Sequence, residues 1–290
     1  MKAMTWKRVA AMNQHYRSWS FSHFLDVQQN LGYESLELWL GPPHFYMDRL
    51  KYEDCKPVRK EVRERGVEIV SVTSSSFAWQ YQYAVPNKEI WNAAKDYFKN
   101  GIRVAAEFGA SVMTVNSGWG GWAETEEDGF GRAVEMLGGL AEFAGRNDVT
   151  LALESLTSLE TRIGDTLGKT KRLWETVNHP NLEVMVDTVA AGYQHETLED
   201  WFKTFGEHLV HMHFIDMEQE KDSDDHLVWG DGGLPLEQMI DTLERWDYRG
   251  YLVQEIAADR YRADPMCADR RGRNVLYKVI NKNYGEKEKR

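Results

Sequence analysis

The amino-acid sequence predicts a single-domain (β/α)8 barrel, an α/β fold in which each strand is followed by a helix. Eight short segments are apolar or alternating, as is typical of strands, and longer amphipathic segments with helical periodicity separate them. The 290 residues contain neither a Pro/Ser-rich linker nor a shift in composition. Eight such alternations in one uninterrupted chain favour a closed barrel over a doubly wound sheet with a second domain.

The predicted strands are short runs rich in apolar and β-branched residues. Several follow a glycine that suits the end of a helix, as at Gly32, Gly66, Gly109 and Gly250. In chain order the strands are predicted at residues 9–12, 35–40, 67–73, 111–116, 150–154, 182–187, 209–215 and 251–255.

The predicted helices are segments in which apolar residues recur every three to four positions. They cover residues 22–31, 49–65, 88–108, 129–146, 166–177, 198–205, 236–246 and 266–281. The catalytic barrel is predicted to span residues 1–284. Residues 285–290, with the sequence GEKEKR, are predicted to form a solvated tail.

Composition excludes several classes of protein. With 35 Lys and Arg against 46 Asp and Glu, the formal net charge of −11 has the wrong sign for binding a nucleic-acid backbone. Cys55 and Cys267 are far apart and show no C-x-x-C spacing, so neither a disulfide framework nor a thiolate zinc site is expected. Because the sequence has no signal-peptide pattern and no run of about 18 apolar residues, a cytoplasmic protein without membrane association is predicted. The 11 Trp residues fit either core packing or a carbohydrate site.

Metal-competent side chains lie at or near the ends of four consecutive predicted strands. Glu154, Asp187, His213 and Glu255 each lie at the polar end of an apolar run. Barrel enzymes build their active sites where strands end, so these side chains are expected to converge. A carboxylate at the end of a core strand is costly to desolvate unless it is paired or bound to a cation. Three carboxylates and one imidazole favour a site for Mn, Mg or Co.

Motifs spread from the second to the eighth predicted strand carry a resemblance to a known family: GYESLELW (32–39), PHF (43–45), LESLT (153–157) with Glu160, MVD (185–187), HMH (211–213) with Asp216, His226 before Gly230 and Gly233, and Glu255. With these motifs the chain resembles the xylose-isomerase-like superfamily of metal-dependent sugar isomerases and epimerases, and most closely its fructoselysine 3-epimerase branch. The resemblance implies that Glu154, Asp187, His213 and Glu255 bind one divalent ion, expected to be Mn, and that Glu154 and Glu255 are also the catalytic acid/base pair.

Further residues are candidates for binding the substrate. Glu160 and His226 resemble loop residues of the superfamily that lie near the sugar, and solvated loop positions are the alternative. His211 is interpreted as a hydrogen-bonded neighbour of the metal site, with direct ligation as the alternative. Four residues near strand ends are candidates for lining the sugar pocket: Trp39, His44, Trp119 and Trp122. Arg260 and Arg262 are candidates for binding an anionic group of the substrate. For all six, packing or a surface position is the alternative.

Two departures from the superfamily pattern bear on the substrate. The epimerases of free ketohexoses carry a substrate-binding His three residues after the strand-six Asp, where this chain has Ala190. They also carry an Arg shortly after the strand-seven His, whereas this chain continues from Asp216 with MEQE. A substituted ketose is therefore favoured over a free one.

The resemblance implies a reaction through a metal-held enediolate, in which two glutamates transfer protons. The sequence leaves epimerisation at C3 and aldose–ketose isomerisation open, and a homo-oligomer is expected. An alternative enzyme class is a C-glycoside lyase that needs a small β-rich second subunit. A DNA endonuclease of the endonuclease IV type is disfavoured by the net charge, and a non-catalytic barrel by the complete set of four ligands.

Overall fold

The computed structural model describes residues 4–75, 81–219 and 223–287, and within these ranges eight parallel strands form a closed barrel in chain order. The first strand, β1 (Val9–Met12), pairs with the last, β8 (Leu252–Gln254), and thereby closes the barrel. The predicted (β/α)8 barrel is confirmed. The other strands are β2 (Ser35–Leu40), β3 (Glu68–Ser74), β4 (Val112–Val115), β5 (Thr150–Glu154), β6 (Leu182–Asp187) and β7 (Leu209–His213).

Several helices begin where a side chain accepts hydrogen bonds from the exposed amides of the first turn. Ser20 caps the first helix by accepting from the amide of His23, and Thr125 and Asp128 form a reciprocal capping box. In the described ranges the α-helices are α1 (Phe21–Leu31), α2 (Cys55–Glu64), α3 (Lys88–Phe108), α4 (Glu126–Gly145), α5 (Leu167–Val177), α6 (Thr188–Tyr193), α7 (Leu198–Phe205), α8 (Leu236–Arg245) and α9 (Pro265–Lys287).

The helix that follows β2 begins six residues later than the sequence predicts. Asp48 accepts hydrogen bonds from the amides of Leu50 (2.7 Å) and Lys51 (2.8 Å), so its side chain stabilises a turn where a helix starting at residue 49 was expected. Asp54 then caps α2 by accepting from the amide of Lys56. Local side-chain hydrogen bonds therefore override the helical periodicity of this segment.

Two further differences concern the second half of the chain. The short helix α6 follows β6 directly and is absent from the prediction. Helix α9 continues to Lys287, past the predicted domain boundary at residue 284, and residues 288–290 of the predicted tail lie outside the described ranges. Among the described residues, none of the helices has the length and apolar character needed to span a membrane. Cys55 and Cys267 both carry free thiols.

The indole of Trp39 is buried with Ala10, Met12 and Val253. The chain turns directly above this ring after β2: a β-carbon added to Gly41 would lie 2.1 Å from it, far inside van der Waals contact. Glycine is therefore required at position 41 by close packing, and Trp39 is held in place from above.

We expect Gly41→Ala to lower the free energy of unfolding by about 1–3 kcal/mol, because the added methyl group must displace a buried ring. The matched control is Gly131→Ala, since Gly131 lies on α4 with open space around the position of a β-carbon. That substitution should stabilise the protein by about 0.5–1 kcal/mol, because alanine is the better helix former. Urea unfolding of both variants measures the difference, and equal stabilities would contradict the packing of Trp39 on Gly41.

Candidate metal centre and active site

Four metal-competent side chains meet at the carboxyl ends of neighbouring strands. Glu154, Asp187 and His213 are the last residues of β5, β6 and β7, and Glu255 follows β8 directly. The Nδ1 atom of His213 lies 2.7 Å from a carboxylate oxygen of Glu154, 2.7 Å from one of Glu255 and 4.0 Å from one of Asp187. All four residues are buried, and one donor atom of each lies within 4.8 Å of the others. The structure thus brings together the four residues that the sequence predicts as ligands.

The donors and the charge of this cluster fit a divalent cation. Nδ1 of His213 is buried, and none of its close contacts has hydrogen-bond geometry. Burial alone would lower the pKa of His213, but the carboxylates of Glu255, Glu154 and Glu37 raise that pKa well above its ordinary value. The site therefore attracts positive charge, and three hard oxygen donors with one imidazole nitrogen are a ligand set that suits Mn, Mg or Co.

Glu154 is a candidate ligand whose pKa differs from that of an ordinary glutamate. Burial and the charges of Glu255 and Asp187 raise the pKa of Glu154 to about 7, although His213 acts in the opposite direction. A carboxyl group with a pKa near neutrality can both accept and release a proton under ordinary conditions.

Asp187 also organises the chain around it. One of its carboxylate oxygens accepts hydrogen bonds from the amides of Val189 (2.6 Å) and Ala190 (3.3 Å) and so caps α6. The other oxygen lies 2.9 Å from Nε2 of His226. Burial alone would raise the pKa of Asp187, but the charge and hydrogen bond of His226 lower it below the ordinary value. Asp187 is therefore held as an ionised carboxylate with a fixed orientation.

A cavity opens above the ligands and contains three of the predicted substrate-binding residues: Glu160, His226 and Trp119. Glu160 accepts hydrogen bonds from the amide (3.0 Å) and hydroxyl (3.1 Å) of Thr157, and burial raises its pKa. Glu154, Asp187 and Glu255 form part of the cavity wall. The other residues that line it are Thr73, Ser74, Asn116, Ser155, Leu156, Thr157, Ala190, Asp224, Asp225 and Ala257.

His226 reaches this cavity from the loop after β7. Its Nδ1 atom donates to the carbonyl oxygen of Asp224 (2.7 Å), and its Nε2 atom lies 3.6 Å from Glu255 in addition to its contact with Asp187. Burial would lower the pKa of His226, but the charge of Asp187 raises it to about 10. His226 therefore places a hydrogen-bond donor beside two of the candidate ligands.

The other predicted substrate-binding residues lie away from the cavity wall. Trp39 packs with the core residues named above. The ring of His44 lies 2.9 Å from the side-chain amide of Asn13 and 2.9 Å from the carbonyl oxygen of Trp19, so both nitrogens are engaged within the protein. Arg260 donates to the hydroxyl of Tyr261 at 3.0 Å and borders a separate surface depression.

The two remaining candidates are both at the surface. Trp122 is 80% exposed, with the guanidinium of Arg162 stacked 4.7 Å from its ring centre. Arg262 forms an ion pair with Asp259 at 2.5 Å.

Glu37 is connected to the ligands but has no role in the sequence-based predictions. Its carboxylate lies 2.8 Å from Nε2 of His213 and 2.6 Å from Nε2 of His211, so His211 reaches the site through Glu37. Burial alone would raise the pKa of Glu37, but His213 and His211 lower it well below the ordinary value. A charged residue in the middle of the apolar strand SLELWL is the signal that could have identified it.

The sequence profile of the family described as "Xylose isomerase-like TIM barrel" matches residues 25–279 of this chain. The chain belongs to this family. The match spans seven of the eight strands and all four candidate ligands, and it confirms the resemblance seen in the sequence motifs.

The curated relatives that resemble this chain are sugar epimerases. Fructoselysine 3-epimerase of Shigella flexneri is 27% identical over 233 residues, which cover 80% of this chain and 83% of the relative. D-psicose 3-epimerase of Agrobacterium fabrum is 20% identical over 247 residues, which cover 83% of this chain and 81% of the relative.

Solved structures share the barrel at low sequence identity. The structure of L-ribulose 3-epimerase superposes with a TM-score of 0.77 at 15% identity and covers 97% of both chains. The 3-keto-D-glucoside 4-epimerase from E. coli gives a TM-score of 0.75 at 16% identity, covering 93% of this chain and 98% of that structure. At these identities the comparison supports the fold alone.

Proposed function

We propose that this chain is a sugar 3-epimerase that acts on a substituted ketose and depends on one divalent metal ion, with Mn as the expected ion. The observation that carries the proposal is the cluster of three carboxylates around Nδ1 of His213, with Glu154 and Glu255 facing the same cavity. The epimerase names of the curated relatives support the same reaction class. They give no support to the C-glycoside lyase that the sequence left as an alternative.

Glu154, Asp187, His213 and Glu255 are the residues that would hold the ion. A bound divalent ion would polarise the ketose carbonyl and so acidify the neighbouring C–H bond. The chain itself supplies the groups that orient the sugar. Glu160 can accept a hydrogen bond from a sugar hydroxyl, Trp119 offers an aromatic surface at the cavity wall, and His226 holds Asp187 in place beside the sugar through its Nε2 hydrogen bond.

Proton transfer is assigned to Glu154 and Glu255. One carboxylate removes the proton from C3, which leaves an enediolate, and the other delivers a proton to the opposite face of the same carbon. The two side chains suit this exchange because they come from β5 and β8, on either side of the strands that carry Asp187 and His213.

The preference for a substituted ketose rests on the cavity wall beside Asp187. Ala190 lies there and offers a methyl group where the free-ketohexose epimerases carry a histidine. Asp224 and Asp225 border the same cavity and place acidic groups near a substituent. Ketoses that carry an amine-containing substituent, such as Amadori-type amino sugars, are therefore the first substrates to test.

Turnover in D2O tests the reaction. With Mn added and a panel of free and amine-substituted ketoses as substrates, we expect NMR to show the 3-epimer with deuterium at C3. The label is expected because a proton held by a carboxylate can exchange with solvent before a proton is returned. Deuterium at C1 or C2 would instead indicate aldose–ketose isomerisation. An unlabelled 3-epimer would contradict transfer by two separate carboxylates, since the group that returns the proton differs from the group that removed it.

A further inference from the structure

The carboxylate of Glu37 accepts hydrogen bonds from four buried donors. One oxygen receives the Thr73 hydroxyl (2.5 Å) and Nε2 of His213 (2.8 Å). The other receives the Ser71 hydroxyl (2.5 Å) and Nε2 of His211 (2.6 Å). The side chain is completely inaccessible to solvent, so its carboxylate depends on hydrogen bonds from the protein, and these four donors supply them.

This arrangement determines which nitrogen of His213 carries a proton. An ionised carboxylate can only accept hydrogen bonds, so Nε2 of His213 must be the donor. In the neutral ring Nδ1 then has its lone pair free, and Nδ1 is the atom that faces Glu154, Asp187 and Glu255. The hydrogen bond to Glu37 therefore orients the ring and, whenever the ring is neutral, leaves the proton on Nε2 and the ligand nitrogen Nδ1 unprotonated.

We propose that Glu37 is a positioning residue for the metal site, which selects the Nε2–H tautomer of His213 and so presents Nδ1 to the ion. This inference rests on the metal site of the proposed function. It adds to that site a residue of β2, whereas His213 lies on β7. The Thr114 hydroxyl donates to that of Thr73 at 2.9 Å, so Thr73 can direct its own proton to Glu37. The carboxylate is thus held in one orientation by β3, β4 and β7 together.

The tautomer can be measured in the wild-type protein. With ¹⁵N-labelled histidine and Mg²⁺, which is diamagnetic, we expect the NMR spectrum of metal-bound His213 to show a protonated Nε2 and a metal-coordinated Nδ1. A ring that binds the ion through Nε2, or that carries its proton on Nδ1, would overturn the inference. This measurement needs no variant and so does not depend on whether a substitution is tolerated.

The variant Glu37→Gln tests the same idea through metal affinity. Its carboxamide has one acceptor oxygen in place of two, so either His213 or His211 must face an NH2 group. If that ring is His213, its Nε2 becomes an acceptor and its proton moves to Nδ1; if it is His211, a neutral oxygen replaces the charged acceptor of His213. We expect calorimetric titration with MnCl2 to show an affinity about 10- to 100-fold weaker than wild type.

Asp269→Asn is the matched control, because Asp269 is also a fully buried carboxylate that contacts a histidine. It accepts from Tyr16 (2.8 Å) and Gln28 (2.6 Å) and lies 2.8 Å from Nε2 of His15. Asp269→Asn should lower thermal stability but leave the Mn affinity within about threefold of wild type, as expected for a site outside the coupled network.

The outcomes separate the inference from the proposed function. Wild-type affinity in a folded Glu37→Gln variant, or an equal loss in Asp269→Asn, would overturn the role of Glu37 and leave the metal site standing. A wild-type protein that binds no divalent ion would contradict the proposed function itself. Weakened affinity in Glu37→Gln alone, with the expected wild-type tautomer, would support both.

Discussion

Replacing Glu154 or Glu255 with glutamine should lower turnover by at least ~10²- to 10⁴-fold, the range expected for loss of a general acid or base. Glutamine keeps the shape of the side chain but removes both its charge and its capacity to accept a proton. In the proposed exchange one glutamate removes the proton and the other delivers a proton, so neither can replace the other. Steady-state rates with the ketose identified by the D2O experiment measure the effect.

Loss of the metal ion could imitate loss of the acid or base, because both glutamates are also candidate ligands. Metal content must therefore be measured in the same samples, and rates compared at saturating Mn. Glu183→Gln is the matched control, since Glu183 lies on β6 but pairs with His208 at 2.8 Å and borders no part of the cavity. A variant of Glu154 or Glu255 with normal metal content and a normal rate would exclude that residue from proton transfer.

Removal of divalent ions should abolish activity, and Mn, Mg or Co should restore it. Because the ion should bind the folded chain and not the unfolded chain, it should also raise the free energy of unfolding, by about 2.7 kcal/mol at a free ion concentration 100 times the Kd. Thermal unfolding with and without MnCl2 measures this effect directly. Full activity in a protein shown by elemental analysis to be metal-free would contradict the proposed function.

The stabilising effect of the ion should increase with pH. The pKa of Glu154, about 7, and that of His226, about 10, are both raised in the folded protein, so both groups bind protons that the unfolded chain releases. Their stabilisation is present at low pH and is lost as pH rises through these pKa values. Between about pH 6.5 and 9 the stability of the metal-free protein should therefore fall as pH rises. In the metal-bound protein the positive charge of the ion takes the place of these protons, so stability should fall less over the same range. A difference in Tm that stays constant over this range would contradict proton–metal competition at the site.

The barrel and much of its detail follow from local patterns in the sequence. Strands β1, β2, β5 and β6 have the predicted bounds, and so do α3 and α7, because burial of an apolar strand or helix face imposes a period that can be read along the chain. The four candidate ligands are expected to converge because each lies at the polar end of an apolar strand and parallel strands in a barrel end on the same side. The resemblance to the superfamily implies their role as ligands.

Local patterns failed where a side chain or a neighbouring element decides the conformation. The turn at Asp48 depends on hydrogen bonds of one carboxylate, and α6 has only six residues, too few to show a helical period. Trp39 and His44 are candidates for lining the sugar pocket because Trp39 lies near the end of β2 and His44 follows that strand. Their burial against Gly41, Asn13 and Trp19 became visible only once the loops were placed.

The sequence by itself determined the fold class, the order of the strands and the identity of the four strand-end donors, since these depend on hydrophobic periodicity and on residues close together in the chain. Only the tertiary structure decided that Glu37 contacts His213, 176 residues away. Which inward-facing side chains meet across a barrel depends on the relative register of strands that are distant in sequence, and no local pattern encodes that register. The raised pKa of Glu154 and the contact between His213 and Glu37 arise from that same convergence of buried charges.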